Sequence, residues 1–253
     1  MYKQSHFPTP PQAEARPELL RHLDTERTDP FYYMRDKSAP EVLSYLQTEN
    51  AYTEEVMQGT KELQETIYQE ILGRIKEDDQ SYPTLRRGYY YYTCTEKGKQ
   101  YPTHYRYEAK AFEAEWGEHP EAVTGGELLF DVNALAEGKP AFIFAGYAIS
   151  PDNRLAAYFS NDTGSYAEFE LRIRDLVRGE DLDFCLQGVS SLAWAEDSET
   201  IYYSLIDDTL RSSRIYVQQL SEPGAELLYE ELDGRFSCSC LLYTSDAADE
   251  EDS

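Results

Sequence analysis

Positive charge is scarce in this sequence. Its 253 residues carry 23 Lys and Arg against 48 Asp and Glu, a formal net charge of −25. No basic run is longer than the pair Arg86-Arg87. Proteins that bind nucleic acid or an anionic membrane surface need clustered cations, so neither partner is expected. Long apolar runs are missing too. The longest, Pro140 to Ile149, falls far short of the ~18 residues of a membrane-spanning helix. The stretch Met1 to Pro11 is polar and lacks the apolar centre of a signal peptide. Cysteine is limited to Cys94, Cys185, Cys238 and Cys240. These have no paired CxxC spacing and are too sparse for a disulfide scaffold, so a reducing cytoplasm is the expected setting. Aromatic residues, by contrast, are plentiful, with 22 Tyr in a chain that is 41% hydrophobic. A disordered acidic chain would be poor in them, so most of this one should fold.

Motifs for catalysis are absent as well. There is no HExxH, no P-loop and no GxGxxG. The string Gly188-Val189-Ser190-Ser191-Leu192 resembles a nucleophile elbow but lacks the second glycine that the tight strand-to-helix turn needs. The histidines, His6, His22, His104 and His119, are scattered and read as surface or hydrogen-bonding residues. Cys238-Ser239-Cys240 offers two thiols with no nearby His or Cys to complete a tetrahedral metal site. The acidic runs Glu77-Asp78-Asp79 and Asp246 to Asp252 read as solvated. No catalytic, cofactor-binding or metal-ligating residue is therefore expected.

Along the chain, residues 1–37 read as an extended arm, because Pro8, Pro10, Pro11, Pro17 and Pro30 remove backbone donors and disfavour helix before them. Residues 38–75 read as two helices. Ser38 and Glu41 have capping-box spacing, Pro40 suits a first turn, Gly59 interrupts, and Thr60 is placed to cap the second helix. Leu63, Ile67 and Ile71 recur at i, i+4, i+8. Such a stripe is either ordinary core packing or a docking face, and the two merge if its partner is another domain of the same polypeptide.

After Asp79 the pattern turns to strands. Runs at Tyr89–Thr93 and Tyr101–Tyr107 flank the turn Glu96-Lys97-Gly98-Lys99. Further strands are expected at Glu127–Val132, Ala141–Ser150, Leu155–Asn161, Glu168–Leu176, Gly188–Trp194, Thr200–Ile206, Ile215–Leu220 and Glu226–Glu231. A repeat underlies them. Asp152 maps to Asp197 at a spacing of 45, and Leu155 maps to Ile201 at 46 after one insertion. Glu127-Leu128-Leu129-Phe130 returns as Glu226-Leu227-Leu228-Tyr229 at a spacing of 99. A period of about 40–50 residues with short strands is a β-propeller signature. The Asp-bearing turn has too few ligands for calcium and reads as turn chemistry. There is room for about three blades, which leaves open sheet edges unless the chain oligomerises or belongs to a longer protein.

Specific strings carry a resemblance. Asp29-Pro30-Phe31-Tyr32-Tyr33-Met34-Arg35-Asp36 and Glu49-Asn50-Ala51-Tyr52-Thr53 resemble the arm and first-helix motifs of the prolyl oligopeptidase family of serine peptidases. Gly73-Arg74-Ile75-Lys76-Glu77-Asp78-Asp79 and Glu96-Lys97-Gly98-Lys99-Gln100-Tyr101-Pro102 narrow the resemblance to its oligopeptidase B group. Leu128-Leu129-Phe130-Asp131-Val132-Asn133 and Ser150-Pro151-Asp152 continue it. Tyr33 and Met34 depart from the family's more usual Trp and Leu, a matter of packing. The motifs run from about Pro10 to Phe236.

The resemblance implies a mainly β fold with N-terminal helices. Residues 1–79 would be an arm and helices that pack on an α/β-hydrolase domain absent from this chain. Residues 80–237 would be about three blades of a normally seven-bladed propeller, and residues 238–253 a tail foreign to the family, such as translated adapter sequence. The implied activity is cleavage of short basic peptides after Arg or Lys by a Ser-Asp-His triad, with the propeller restricting substrate size. The triad lies in the family's C-terminal part, so no catalytic residue maps onto this chain, which alone should be inactive. The alternative is a non-catalytic propeller-type interaction module that closes its ring by oligomerising.

Overall fold

The computed structural model describes residues 8–242. The chain divides into two compact units between Lys76 and Glu77.

In the first unit, the expected extended arm contains a hairpin. Strands β1 (Glu18–His22) and β2 (Thr25–Asp29) pair antiparallel across a two-residue turn at Leu23-Asp24. The prolines explain the difference. Pro17 and Pro30 bracket the hairpin and leave every residue between them with a backbone donor to pair. Helix α1 (Pro40–Met57) begins with Pro40 in its first turn, but the capping box does not form. The N-cap is Ala39, and Ser38 instead donates its N–H and hydroxyl to Asp36 Oδ1, at 3.0 and 2.7 Å. A 3-10 turn through Gly59 leads into α2 (Lys61–Leu72). Thr60 makes no cap either, its hydroxyl donating back to the Met57 carbonyl at 2.7 Å. Leu63, Ile67 and Ile71 are not packed into a core; they are 59%, 46% and 55% exposed.

The second unit is three antiparallel sheets in succession. The first joins β3 (Asp79–Gln80) and β4 (Thr84–Arg86) to one edge of β5 (Tyr89–Thr95), followed by β6 (Thr103–Glu108) and β7 (Glu127–Asp131). Helix α3 (Ala109–Trp116) lies between β6 and β7, and the short α4 (Val132–Ala136) follows β7. The second sheet is β8 (Ile143–Ile149), β9 (Leu155–Asn161), β10 (Glu170–Asp175) and β11 (Glu180–Gln187). The third is β12 (Val189–Trp194), β13 (Thr200–Ile206), β14 (Ser212–Gln219) and β15 (Glu226–Glu230). Each is a meander that starts on an inner strand and ends on an outer one, and the first strands β8 and β12 touch. This is the blade arrangement of a propeller.

The sheets bury one another's faces. Leu129, Phe130 and Val132 meet Phe142, Ala156 and Tyr158 between sheets one and two. Ala157, Leu171 and Ile173 meet Val189, Trp194, Ile201 and Tyr203 between sheets two and three. A single sheet has two apolar faces, so stacking is what removes them from water.

The repeat has a direct structural meaning. In the β8–β9 turn, Ser150 N–H reaches Leu155 O and Asn153 N–H reaches Ser150 O; in the β12–β13 turn, Ala195 N–H reaches Thr200 O and Ser198 N–H reaches Ala195 O. Asp152 Oδ1 accepts from Arg154 N–H, and Asp197 Oδ1 from Glu199 and Thr200 N–H, so both are Asx-type turns. The spacing is therefore 45 throughout. Leu155 corresponds to Thr200, not Ile201, and the buried Ala156 and Ile201 follow them in register. β7 and β15, related by the 99-residue spacing, are both outer strands.

Candidate functional site

The three sheets converge at their inner strands, where two adjoining cavities share Arg86, Tyr91 and Ile149 as lining residues. The larger, 540 Å³, is also lined by Arg87, Trp194 and Glu196. The smaller, 340 Å³, adds Tyr82, Tyr92 and Tyr147.

Local chemistry places these groups. Arg86 pairs with Tyr89, so Arg87 and Gly88 form a two-residue turn. Both have positive φ, 47° and 82°, as a type I′ hairpin requires. Asn153 holds that turn by donating Nδ2–H to the Arg87 carbonyl at 3.1 Å. Arg106, 4% exposed, grips Glu127 with two hydrogen bonds of 2.7 and 2.9 Å and donates a third, 2.7 Å, to the Asn153 carbonyl. The next turn is tied in the same way: Asp152 N–H donates to Ser198 Oγ at 3.0 Å, and Trp194 Nε1–H to the Ala148 carbonyl at 3.0 Å. Turn-to-turn bonds thus set each sheet against the next, and the cavity walls inherit that spacing.

The phenols of these walls are neutral at neutral pH. Burial pushes the Tyr147 and Tyr92 phenols up to about 12. Tyr92 donates to the Gly125 carbonyl, whereas the buried Tyr91 hydroxyl has no hydrogen-bond partner among the described residues. His104 sits behind Tyr147, ring centroids 5.3 Å apart, with Phe144 on its other contact at 5.2 Å. Burial lowers its pKa, so it stays neutral, and its Nε2 has no partner among the described residues. The expectation of a surface or hydrogen-bonding histidine fails for His104, which lies in the expected strand run Tyr101–Tyr107 and turns into the inter-sheet core.

The other residues singled out in the sequence are not brought together. Ser190 and Ser191 bond to Ser204 and Ser212 hydroxyls and meet no base. Cys238 N–H donates to the Ser212 carbonyl and Cys240 N–H to Ser191 Oγ, and all four thiols are free. His22 closes the first hairpin, and His119 lies 3.4 Å from Glu121 on the surface. Asp78 accepts from Lys97 N–H at 2.7 Å. His6 and the acidic run Asp246 to Asp252 lie outside the described residues. Among the described residues there is no group of three His, Cys, Asp or Glu able to hold a metal, and no helix long and apolar enough to cross a membrane. What converges at the inner strands is a set of polar and aromatic groups: two guanidiniums, phenols, an indole and a carboxylate.

Comparison with known proteins gives this arrangement a lineage. The model of the prolyl oligopeptidase N-terminal β-propeller domain matches residues 10–247, further than the motif strings alone reach. The chain is 36% identical over 239 residues to dipeptidyl aminopeptidase BI of Pseudoxanthomonas mexicana, which covers 90% of this chain and 33% of the relative. Among solved structures it is similar to oligopeptidase B from Leishmania major, with TM-score 0.78, 25% identity and coverage of 90% of this chain and 34% of that one. It is also similar to oligopeptidase B from Trypanosoma brucei with covalently bound antipain in a closed form, with TM-score 0.75, 27% identity and coverage of 90% and 33%. The chain thus spans about a third of the length of the proteins it matches. With three meander sheets in series and a family match over most of its length, the chain belongs to the prolyl oligopeptidase family of peptidases, as part of its N-terminal β-propeller domain.

Proposed function

We propose that this chain is the N-terminal part of an oligopeptidase B-like serine peptidase that cleaves short peptides after Arg or Lys, in a cytoplasmic setting. In this reading residues 80–237 belong to a propeller that limits substrate size. Residues 1–79 dock on the hydrolase domain that supplies the triad.

One comparison within the chain carries the reading. Leu129 and Phe130 of β7 are 1% and 0% exposed because sheet two covers them, while their repeat partners Leu228 and Tyr229 of β15 are each 49% exposed. The same residue pattern is built for coverage at both places, so the third sheet is shaped for a further sheet. The exposed stripe Leu63, Ile67, Ile71 supports a docking role for α2 in the same way.

The uncovered third sheet also supports a second reading, an interaction module whose copies close a ring together. Solution mass separates the two: a defined, stable oligomer of this chain favours the module. The peptidase reading is tested by assaying the pure chain and the product of the complete source gene on short peptides with a single Arg, Lys or Pro. The chain should be inactive and the complete protein should cut after Arg or Lys. Cutting after Pro alone would overturn the assigned specificity, and hydrolysis by the chain alone would overturn its non-catalytic role.

A further inference from the structure

The inner strands bring two neighbouring arginines, Arg86 and Arg87, to the wall of one cavity. Most arginines of the described residues lie against carboxylates, among them Arg106 on Glu127, Arg174 on Asp181, Arg211 on Asp207 and Arg235 on Asp233, while Arg154 and Arg214 form no ion pair. With 48 acidic residues for 23 basic ones, every cation could have a partner. Yet among the described residues the guanidiniums of Arg86 and Arg87 have no ion pair, hydrogen bond or ring contact. Both line the larger cavity and Arg86 lines the smaller. One carboxylate, Glu196, also lines the larger cavity, and it forms no ion pair with either.

Two further observations point the same way. The Tyr91 hydroxyl is buried between the two cavities without a well-formed hydrogen bond; of the charged groups around it Arg106 acts on it most strongly and Arg86 less, so it faces cations and its own proton has no acceptor among the described residues. A buried donor without an acceptor is costly unless something completes it. Arg87 also occupies a left-handed position, φ 47°, that a hairpin turn would rather fill with Asn, Asp or Gly. Turn chemistry does not ask for arginine there, and such local misfits gather at functional sites.

We propose that Arg86 and Arg87, with the Tyr91 hydroxyl, form a subsite for the carboxylate of a short peptide. A guanidinium presents paired N–H donors that match the two oxygens of a carboxylate, and a phenol adds a third donor. Trp194 and Tyr147 give the peptide backbone flat walls beside that anchor. The acidic chain as a whole attracts the basic end of such a peptide, while the arginine pair takes its acidic end and so orients it. This deepens the peptide-processing reading and rests on it.

The test is calorimetric titration of the full chain with three probes: N-acetyl-tetraalanine as the free acid, its C-terminal amide, and the amide carrying one Asp. The free acid should bind at least about tenfold tighter than the plain amide. The double variant Arg86→Gln, Arg87→Asn removes both charges and puts a residue suited to the turn at position 87; with an unchanged circular dichroism spectrum, it should erase that preference. Tight binding of the Asp amide would make the site a general carboxylate reader, and weak binding would restrict it to the peptide terminus. Equal binding of acid and amide, no binding of either, or a preference that survives the double variant would each overturn the proposal. Cleavage specificity is measured separately, so a failed titration removes the subsite and leaves the peptidase reading to its own assay.

Discussion

Arg106 joins β6 to β7 through Glu127 and to the second sheet through the Asn153 carbonyl, with the Tyr89 ring 4.4 Å away. Arg106→Gln removes the charge and leaves Glu127 facing a neutral amide. It should cost about 3 kcal/mol, read as a lower midpoint in urea unfolding. A loss under about 0.5 kcal/mol would mean that the link is ornamental. Tyrosine sets the alkaline limit. An ordinary phenol titrates at 10.0, while Tyr92 and Tyr147 titrate near 12 in the fold. The folded pKa is raised, so the unfolded chain gives up its proton first. Their contribution is whole below about pH 10 and declines as pH rises toward about 12. Phenolate absorbance followed with circular dichroism should show these tyrosines ionising together with unfolding. Ionisation near pH 10 with the fold intact would refute their burial. At this scale the turn residues were readable from sequence, because Asp152 and Asp197 act on backbone two and three residues away. The pairings of Arg106 and His104 were not, since they depend on which sheet lies opposite.

Elements with local signals announced themselves. Tyrosine-rich β5 and apolar β9 and β13 alternate or cluster in ways that need no partner to recognise. β11 was hidden because its sequence Glu-Asp-Leu-Asp-Phe-Cys-Leu-Gln is acidic, which disfavours strand. Only in the sheet does its alternation appear, with Leu182, Phe184 and Leu186 against the core. α3 was hidden because its capping acceptor, Glu108, ends a strand. The α1 capping signal misled because Asp36, two residues before Ser38, competes for the same hydroxyl and holds it, and that hydroxyl in turn lowers the Asp36 carboxyl pKa. For α2 the exposure of its apolar stripe makes a sharp expectation. Leu63→Asp with Ile67→Asp should change the stability of the chain by no more than about 0.5 kcal/mol per site. The same pair should abolish association with the rest of the protein, measured by co-purification. A large drop in melting temperature of the isolated chain would show that the stripe packs within it.

For the whole molecule, charge and repetition pull against each other. Stacked sheets need contact between faces, while a net charge of −25 makes the chain repel itself. The Debye length falls from about 30 Å at 0.01 M salt to about 8 Å at 0.15 M. The melting temperature should therefore rise across that interval, and a flat or falling curve would show that local ion pairs outweigh the net charge. The number of sheets was readable from the repeat period, and their hand-off from one to the next was not, because it resides in bonds such as Asn153 to Arg87 and Asp152 to Ser198 across long sequence separations. The central claim is that these three sheets open a longer serine peptidase. Its most direct test is to read the source DNA downstream of the Phe236 codon. The account expects an open frame through further four-stranded sheets to a GxSxG elbow, then Asp and His. A confirmed stop after Ser253 would contradict it and leave a chain that works by binding alone.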